Sequence, residues 1–441
     1  MTTQAPADLL ISRARYVLVC DDVATTLADA SVVVTEGRIV AVGSSEAIDA
    51  RYKAERTIDA RGHLLLPGLV NLHTHLPMTL LRGVAEDVDL QGFLKLVWAE
   101  EARIMDAAGT ELGAALGALE SLLGGTTTAL DMYFYPDAAH RGAARAGLRH
   151  VTGPVFFSFP GPDNLTWSER MDFARRWPQI LRESGGPFVP RTLMPHAMYT
   201  VEVEQLAEVG ELAREQGALV HTHCAENDAD VADTIAARGR RPVACLVDAE
   251  VISLGPVLAH AVHLTAEERE EVAAAGASVA HCPGSNLKLA SGAADLVGYR
   301  RDGITVGLGT DGCSSSNDLD MFAVMRLSAN LARLVSHDPA PITAHEIVRA
   351  ATLDGARALG MADRIGSVEV GKEADLILLD TRLPHLTPLR EPHTAVVFAA
   401  GRADVRTVIV AGEIVVDDRR STRLDEEELL GRADALVERH S

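Results

Sequence analysis

Eight short apolar runs follow one another through the middle of the chain, and almost every one ends in a polar or titratable side chain. The endings fall near His75, Asp131, Phe157, His196, His223, His260, His281 and Asp311, with alanine-rich stretches of helical character between them. Short buried strands alternating with helices are the rhythm of a parallel (β/α)8 barrel. In such a barrel the C-terminal strand ends carry the active site. Packing gives a buried strand no reason to stop at His or Asp. One such ending is ordinary, but a succession of them points to a reactive surface built where the strands end.

The rest of the chain fits around that core. At 441 residues the chain is too long for one ordinary core, but it suits a TIM barrel with a satellite domain. Tyr16-Val-Leu-Val, Ser31-Val-Val-Val and Arg38-Ile-Val-Ala-Val are β-branched runs split by turn residues such as Glu36-Gly37. Near the other end, Ala374-Asp-Leu-Ile-Leu-Leu, Thr394-Ala-Val-Val-Phe and Val405-Arg-Thr-Val-Ile-Val read as strands too, and Asp425 to Arg439 has helical spacing. The expected class is therefore α/β. Residues 63–365 form the barrel. Residues 1–62 and 366–441 join into one small β-sandwich, and the second segment carries a terminal helix.

Composition narrows the partners. The net charge is -21, from 41 Lys+Arg against 62 Asp+Glu, which disfavours nucleic acid or an anionic membrane surface. No apolar run approaches the ~18 residues of a membrane span. Residues 1–10 lack a basic segment followed by an apolar one, so no signal peptide is expected. The five cysteines are scattered, with no Cys-x-x-Cys, which disfavours a disulfide framework or a thiolate metal site. A cytoplasmic protein acting on a small molecule is expected.

The strand endings supply a ligand set. In Leu72-His73-Thr74-His75 the two imidazoles share one face of a strand, because side chains alternate. In Leu219-Val-His221-Thr-His223-Cys-Ala-Glu226, spacing allows either histidine as a ligand. Position favours His223, nearer the strand end, with His221 deeper. Ile304-Thr-Val-Gly-Leu-Gly-Thr-Asp311 brings a carboxylate to a glycine-rich strand end, where it has little purpose without a cation or a proton to handle. Three neutral imidazoles and one carboxylate suit zinc first, and also iron or manganese. A cation with an open position lowers the pKa of bound water toward ~7 and so provides a hydroxide nucleophile. Asp311 is then placed to take its proton, Glu226 to carry a proton to a leaving nitrogen, and His260 to steady the developing oxyanion. The run Thr192-Leu-Met-Pro-His196 holds no lysine for a bridging carbamate, so one metal ion is expected.

With these residues in view the chain resembles the amidohydrolase superfamily over essentially its whole length. Pro67-Gly-Leu-Val-Asn-Leu-His73-Thr-His75 and Gly366-Ser-Val-Glu-Val-Gly-Lys-Glu-Ala-Asp carry that resemblance. Met78-Thr-Leu-Leu-Arg-Gly-Val-Ala-Glu-Asp, His281-Cys-Pro-Gly-Ser-Asn286-Leu-Lys-Leu and Leu308-Gly-Thr-Asp311-Gly are similar to the mononuclear deaminase and chlorohydrolase branch, in particular its adenosine-type deaminases. The resemblance implies metal binding by His73, His75, His223 and Asp311. It implies an acid/base and polarising pair in Glu226 and His260, with His196 near the substrate. Glu101 resembles a glutamate that holds ribose hydroxyls, and enzymes of the branch are often homo-oligomers. Phe93 stands near where the branch has a tryptophan. The stretch Val151-Thr-Gly-Pro-Val-Phe-Phe-Ser-Phe-Pro-Gly-Pro shows no arginine for a substrate carboxylate, which points to a flatter or more apolar substrate end.

The expected activity is hydrolytic deamination of an aminated purine nucleoside or related heterocycle, with release of ammonia. The alternative is a hydrolase using the same site on a C–Cl, C–S, cyclic amide or (thio)carbamate bond, as in a triazine. A catalytically dead scaffold fits poorly, because such proteins lose ligands and all four are present here.

Overall fold

A computed structural model describes residues 4–440. Both chain ends enter one nine-stranded sheet. Ala5–Leu18 pairs antiparallel with Thr26–Thr35, which pairs in turn with Arg38–Ser44. Ala5–Leu18 also runs parallel to Tyr52–Asp59 and His63–Pro67. The join between the ends is the antiparallel pairing of His63–Pro67 with Leu376–Asp380. Val405–Val410, Glu413–Asp417 and Arg420–Ser421 complete the sheet. Leu64, Leu65 and Leu66 are buried on both faces, which is why this run reads as continuous hydrophobe rather than alternation.

One expected strand is a helix. Pro392–Phe398 contains Thr394-Ala-Val-Val-Phe, and Glu391 starts it by accepting from the backbone N–H groups of His393 and Thr394. Proline is preorganised for the first helical turn, and the carboxylate satisfies two of the otherwise unpaired N–H groups. These local signals outweigh the β preference of Val396 and Val397, which the helix buries. The terminal helix Glu426–His440 forms as expected and buries Leu429 and Ala433.

The central strands are parallel and fall in two sheets. Leu69–Thr74, Thr126–Asp131 and Arg149–Thr152 make one; Val155–Phe156, Thr192–Pro195, Leu219–Cys224, Val257–His260, Ser278–His281 and Thr305–Leu308 make the other, in chain order. Only Gly153 and Pro154 separate Arg149–Thr152 from Val155–Phe156. Proline donates no hydrogen bond, and a side chain at Gly153 would place its Cβ 1.9 Å from the Thr192 carbonyl oxygen, so glycine is required at this crossing. At the opposite edge, Asp311 N–H donates to the His73 carbonyl at 3.0 Å and links the end of Thr305–Leu308 back to Leu69–Thr74.

Capped helices connect the strands. Trp167–Ser184 opens with a reciprocal Thr166/Glu169 box, and Ala107–Leu123 opens on Asp106, which accepts from Gly109 N–H. The nine-stranded sheet is tied to the parallel strands by Arg149, fully buried. Its guanidinium donates to Asp375 Oδ2 (2.9 Å) and Oδ1 (2.9 Å) and to Glu373 Oε2 (2.7 Å), just ahead of Leu376–Asp380. No helix among the described residues is long and apolar enough to cross a membrane.

Candidate active site

The strand ends bring their polar side chains to one buried cluster. His73 and His75, at the end of Leu69–Thr74, lie with Nε2 atoms 3.3 and 3.1 Å from Asp311 Oδ1. His223 joins them, its ring centroid 4.8 Å from that of His73. Ligand atoms of His73, His75 and His223, and of His73, His260 and Asp311, all fall within 4.8 Å of one another. Donors at about 2.0–2.2 Å from one ion stand roughly 3.3–3.6 Å apart, close to the separations from Asp311.

Hydrogen bonds on the far side of each ring fix which nitrogen faces the centre. His221 Nδ1 donates to the Val257 carbonyl (2.9 Å), leaving its Nε2 as an acceptor for His73 Nδ1 (2.8 Å). His75 Nδ1 donates to the Met132 carbonyl (2.5 Å) and His223 Nδ1 to the His196 carbonyl (2.8 Å), while His260 Nδ1 lies 2.9 Å from the Asn286 side-chain amide, which, turned to donate its N–H, leaves the His260 proton on the inward Nε2. The backbone carbonyls thus assign the Nδ1–H tautomer to His75, His221 and His223, and through His221 to His73, so the inward Nε2 of His73, His75 and His223 is left to face an ion. Nε2 of His73 and of His260 are buried without a hydrogen-bond partner. Inward lone pairs, outward N–H groups anchored on carbonyls, and one carboxylate make a donor set that fits a divalent metal. Both His221 nitrogens are engaged within the protein, whereas His223 has its Nδ1 on a carbonyl and its Nε2 left to the cluster.

Burial sets the charge states. It pushes His73 down to about 4 and holds His221 and His223 well below the ordinary histidine range. Burial also acts against charge on His75, but the adjoining Asp311 carboxylate wins and lifts it to about 9, so with no cation beside it this ring holds a proton on Nε2 that a bound ion would displace. Burial would raise Asp311, yet His73 and His75 hold it far below the usual carboxylate range, and Ser315 Oγ donates to its Oδ2 (2.8 Å). An ionised carboxylate in so dry a place favours positive charge at the cluster's centre.

The remaining candidates line the same cleft. Glu226 Oε2 lies 3.7 Å from His260 Nε2, its backbone N–H held by Asp230 (2.9 Å), and burial raises its pKa to about 7. Glu101, on the helix Leu90–Ile104, accepts from the Tyr133 hydroxyl (2.6 Å) and is likewise raised by burial to about 7. His196 stacks on Phe157 with centroids 4.6 Å apart, and burial lowers its pKa to about 3. Phe93 is buried in the wall.

Tyr133, Asn286, Asp230, Ser315 and Trp98 serve this cleft or its supports without having been singled out for these contacts. Signals existed for some. Tyr133 follows Asp131 by two, repeating the His73/His75 spacing. Asp230 and Ser315 follow Glu226 and Asp311 by four, the reach of one helical turn.

Parallel strands with a His/Asp ligand cluster at their ends define a divalent-metal hydrolase type of site. Residues 64–415 match the Amidohydrolase family model, and the chain belongs to that family. It is 36% identical over 424 residues to a 5-methylthioadenosine/S-adenosylhomocysteine deaminase of Syntrophus aciditrophicus, covering 96% of this chain and 95% of that protein. Among solved structures, a zinc-bound adenosine deaminase from Xanthomonas campestris aligns with a TM-score of 0.95 at 38% identity, covering 99% of each chain. An atrazine chlorohydrolase from Arthrobacter aurescens, complexed with zinc, aligns at 0.89 and 26% identity, covering 97% of this chain and 100% of that one.

Proposed function

We propose that this chain is a metal-dependent hydrolytic deaminase of an aminated purine nucleoside or a closely related heterocycle. The observation that carries the reading is the shared cleft: inward-facing imidazole nitrogens around Asp311, a carboxyl group beside His260, and a second buried carboxyl group at Glu101. The named adenosine-type deaminases among its relatives support it.

In this reading His73, His75, His223 and Asp311 hold one divalent ion, with zinc preferred because zinc-bound neighbours share the fold. The ion supplies the Lewis acidity that makes water a usable nucleophile near pH 7. Asp311 Oδ2, steadied by Ser315, receives the proton that water gives up. Glu226 holds a proton near neutral pH because burial disfavours its charge; it delivers that proton to the ring nitrogen, takes back the proton of the added hydroxyl and passes this second one to the departing amine, and the proton held by Asp311 then restores Glu226. His260 Nε2, unpaired and aimed inward, stabilises the oxygen that develops negative charge. Glu101 accepts the sugar hydroxyls, while His196 and Phe93 confine the base.

The architectural reading goes with it. With Arg149–Thr152 and Val155–Phe156 counted as one interrupted strand, the two parallel sheets join into one eight-stranded barrel; the Asp311-to-His73 backbone bond and the short Gly153-Pro154 break support closure. Residues 1–62 and 366–441 make the satellite β-domain, with residues 63–365 the barrel. Five unpaired, buried cysteines suit the reducing cytoplasm.

The test is ammonia release by the zinc-loaded protein from adenine, guanine, cytosine, pterin and triazine compounds. Ammonia from an adenosine derivative is expected. With metal bound and no ammonia from any compound, the reading falls. The likeness to the atrazine chlorohydrolase and the apolar cleft wall favour a second reading, displacement of a triazine substituent, and chloride release from atrazine would select it.

A further inference from the structure

Asp131 ends one of the runs that stop at a titratable side chain, yet it takes no place in the cleft wall. It is fully buried. Its Oδ1 accepts from the Leu76 N–H at 2.8 Å, and its Oδ2 accepts from His150 Nε2 at 2.8 Å. Both oxygens therefore act as acceptors, which is the pattern of a carboxylate. His150, on Arg149–Thr152, is buried as well, and its Nδ1 lies 3.3 Å from Nδ1 of His140 on the helix Pro136–Ala146. With Nε2–H given to Asp131, His150 Nδ1 is left to accept from His140 Nδ1–H. Burial keeps His140 neutral, pushing its pKa down to about 4.

This row of side chains ends on the residue after His75. His75 lies just past the end of Leu69–Thr74, beyond the strand's ladder, and is the least buried of the four proposed ligands. Three bonds from Asp131 and Met132 take the ladder's place. Met132 N–H donates to the Thr74 carbonyl (3.0 Å), His75 Nδ1 donates to the Met132 carbonyl (2.5 Å), and Asp131 Oδ1 takes the Leu76 N–H. Thr152 Oγ1 donates to the Asp131 carbonyl at 2.8 Å and fixes the same residue from the neighbouring strand. Of these contacts only that of Asp131 carries a formal charge, and the charge is felt at His75.

A buried Asp–His pair is commonly a matter of packing, but charge argues for more here. A neutral amide would serve the Leu76 N–H as an acceptor, whereas a carboxylate out of water is costly unless a positive charge lies near. Among the described residues no Lys or Arg pairs with Asp131; His150 is its one partner of that kind. A divalent ion held by His75 would meet that need. Asp311 balances half of such an ion's charge, and Asp131, one residue behind the ligand, balances the rest.

Resting on the reading of His75 as a ligand of one divalent ion, we propose that Asp131, oriented by His150, is a positioning residue for His75 and supplies the second negative charge beside the ion. The experiment is competition for zinc between the metal-stripped full chain and a chromophoric chelator, with the visible spectrum of the cobalt-loaded protein as a second readout. Asp131→Asn keeps an acceptor for Leu76 and removes the charge. It is expected to weaken zinc binding by about 10–100-fold and to shift the cobalt bands. His150→Leu is expected to weaken zinc binding too, while His150→Gln, whose amide N–H reaches about as far as Nε2, restores most of the affinity. Unchanged zinc affinity in Asp131→Asn overturns the inference, whatever its Tm does, and leaves the metal reading intact. Where Asp131→Asn does not fold, the His150 pair decides, and equal zinc affinity in His150→Leu and His150→Gln overturns the inference. A wild-type chain that binds no zinc overturns the metal reading and this inference with it.

Discussion

Replacing Glu101 by Gln stabilises the protein above neutral pH and does nothing at low pH. Glu101 is buried, and its one hydrogen bond, from Tyr133, is not enough to offset the loss of water around its charge. Its pKa rises from the ordinary 4.5 to about 7 in the folded protein. A raised carboxyl pKa means that the folded state holds the proton more tightly than the unfolded chain. The stability is therefore fully present below the unfolded pKa and is lost as pH rises from there through the folded pKa. At about 1.4 kcal/mol per pH unit the full loss is about 3 kcal/mol by pH 8. Glutamine keeps the acceptor for Tyr133 and carries no charge. With an unfolding entropy of about 2 cal/mol/K per residue, that difference is worth roughly 4 °C in Tm if the whole chain melts together. The assay is thermal unfolding of wild type and Glu101→Gln from pH 5 to 8.5. The Tm difference should be about 1 °C at pH 5 and open steadily to its full value between pH 7 and 8. A difference that stays flat across this range would refute the argument that burial controls this carboxyl. The same substitution should raise KM for a nucleoside while sparing KM for the free base, since the charged acceptor for the sugar is lost.

His73→Ala should abolish retention of zinc, read by elemental analysis after dialysis. His221→Ala should keep a site but weaken it by about 10–100-fold, because it only orients His73; unchanged affinity would remove His221 from the site. Glu226→Gln should retain full metal and lose about 10²–10⁴ in kcat, and near-normal turnover would rule out its proton transfer. Arg149→Met should destabilise the chain by about 3–5 kcal/mol in urea unfolding, since Asp375 is left buried without a cation, although Glu373 keeps Arg364. A small change there would mean that Asp375 finds another cation or takes up a proton.

Much of the site was legible because strands alternate. The spacing of His73 and His75 on one short run fixes a shared face before any fold is known, and runs that stop at His or Asp mark the rim where those faces meet. The choice between His221 and His223 was not legible by spacing, since both point the same way. It turns on the carbonyl of Val257, on a neighbouring strand, which ties up His221. Tyr133, bonded to Glu101 from a distant helix, is likewise a product of packing. The helix Pro392–Phe398 was misread because β-branched residues dominate its middle, whereas its start is set by Glu391 and Pro392.

The pairing of His63–Pro67 with Leu376–Asp380 sets a schedule for synthesis. The first of these strands leaves the ribosome about 310 residues before its partner, an interval on the order of 15–60 s at 5–20 residues per second. For that interval one edge of a strand built on three consecutive leucines stands open beside Ala5–Leu18. The N-terminal strands must wait, shielded by chaperone or by transient collapse, until nearly the whole chain exists. Truncation late in the chain is therefore expected to cost far more than the loss of a peripheral hairpin, because it leaves this first-made edge permanently unpaired.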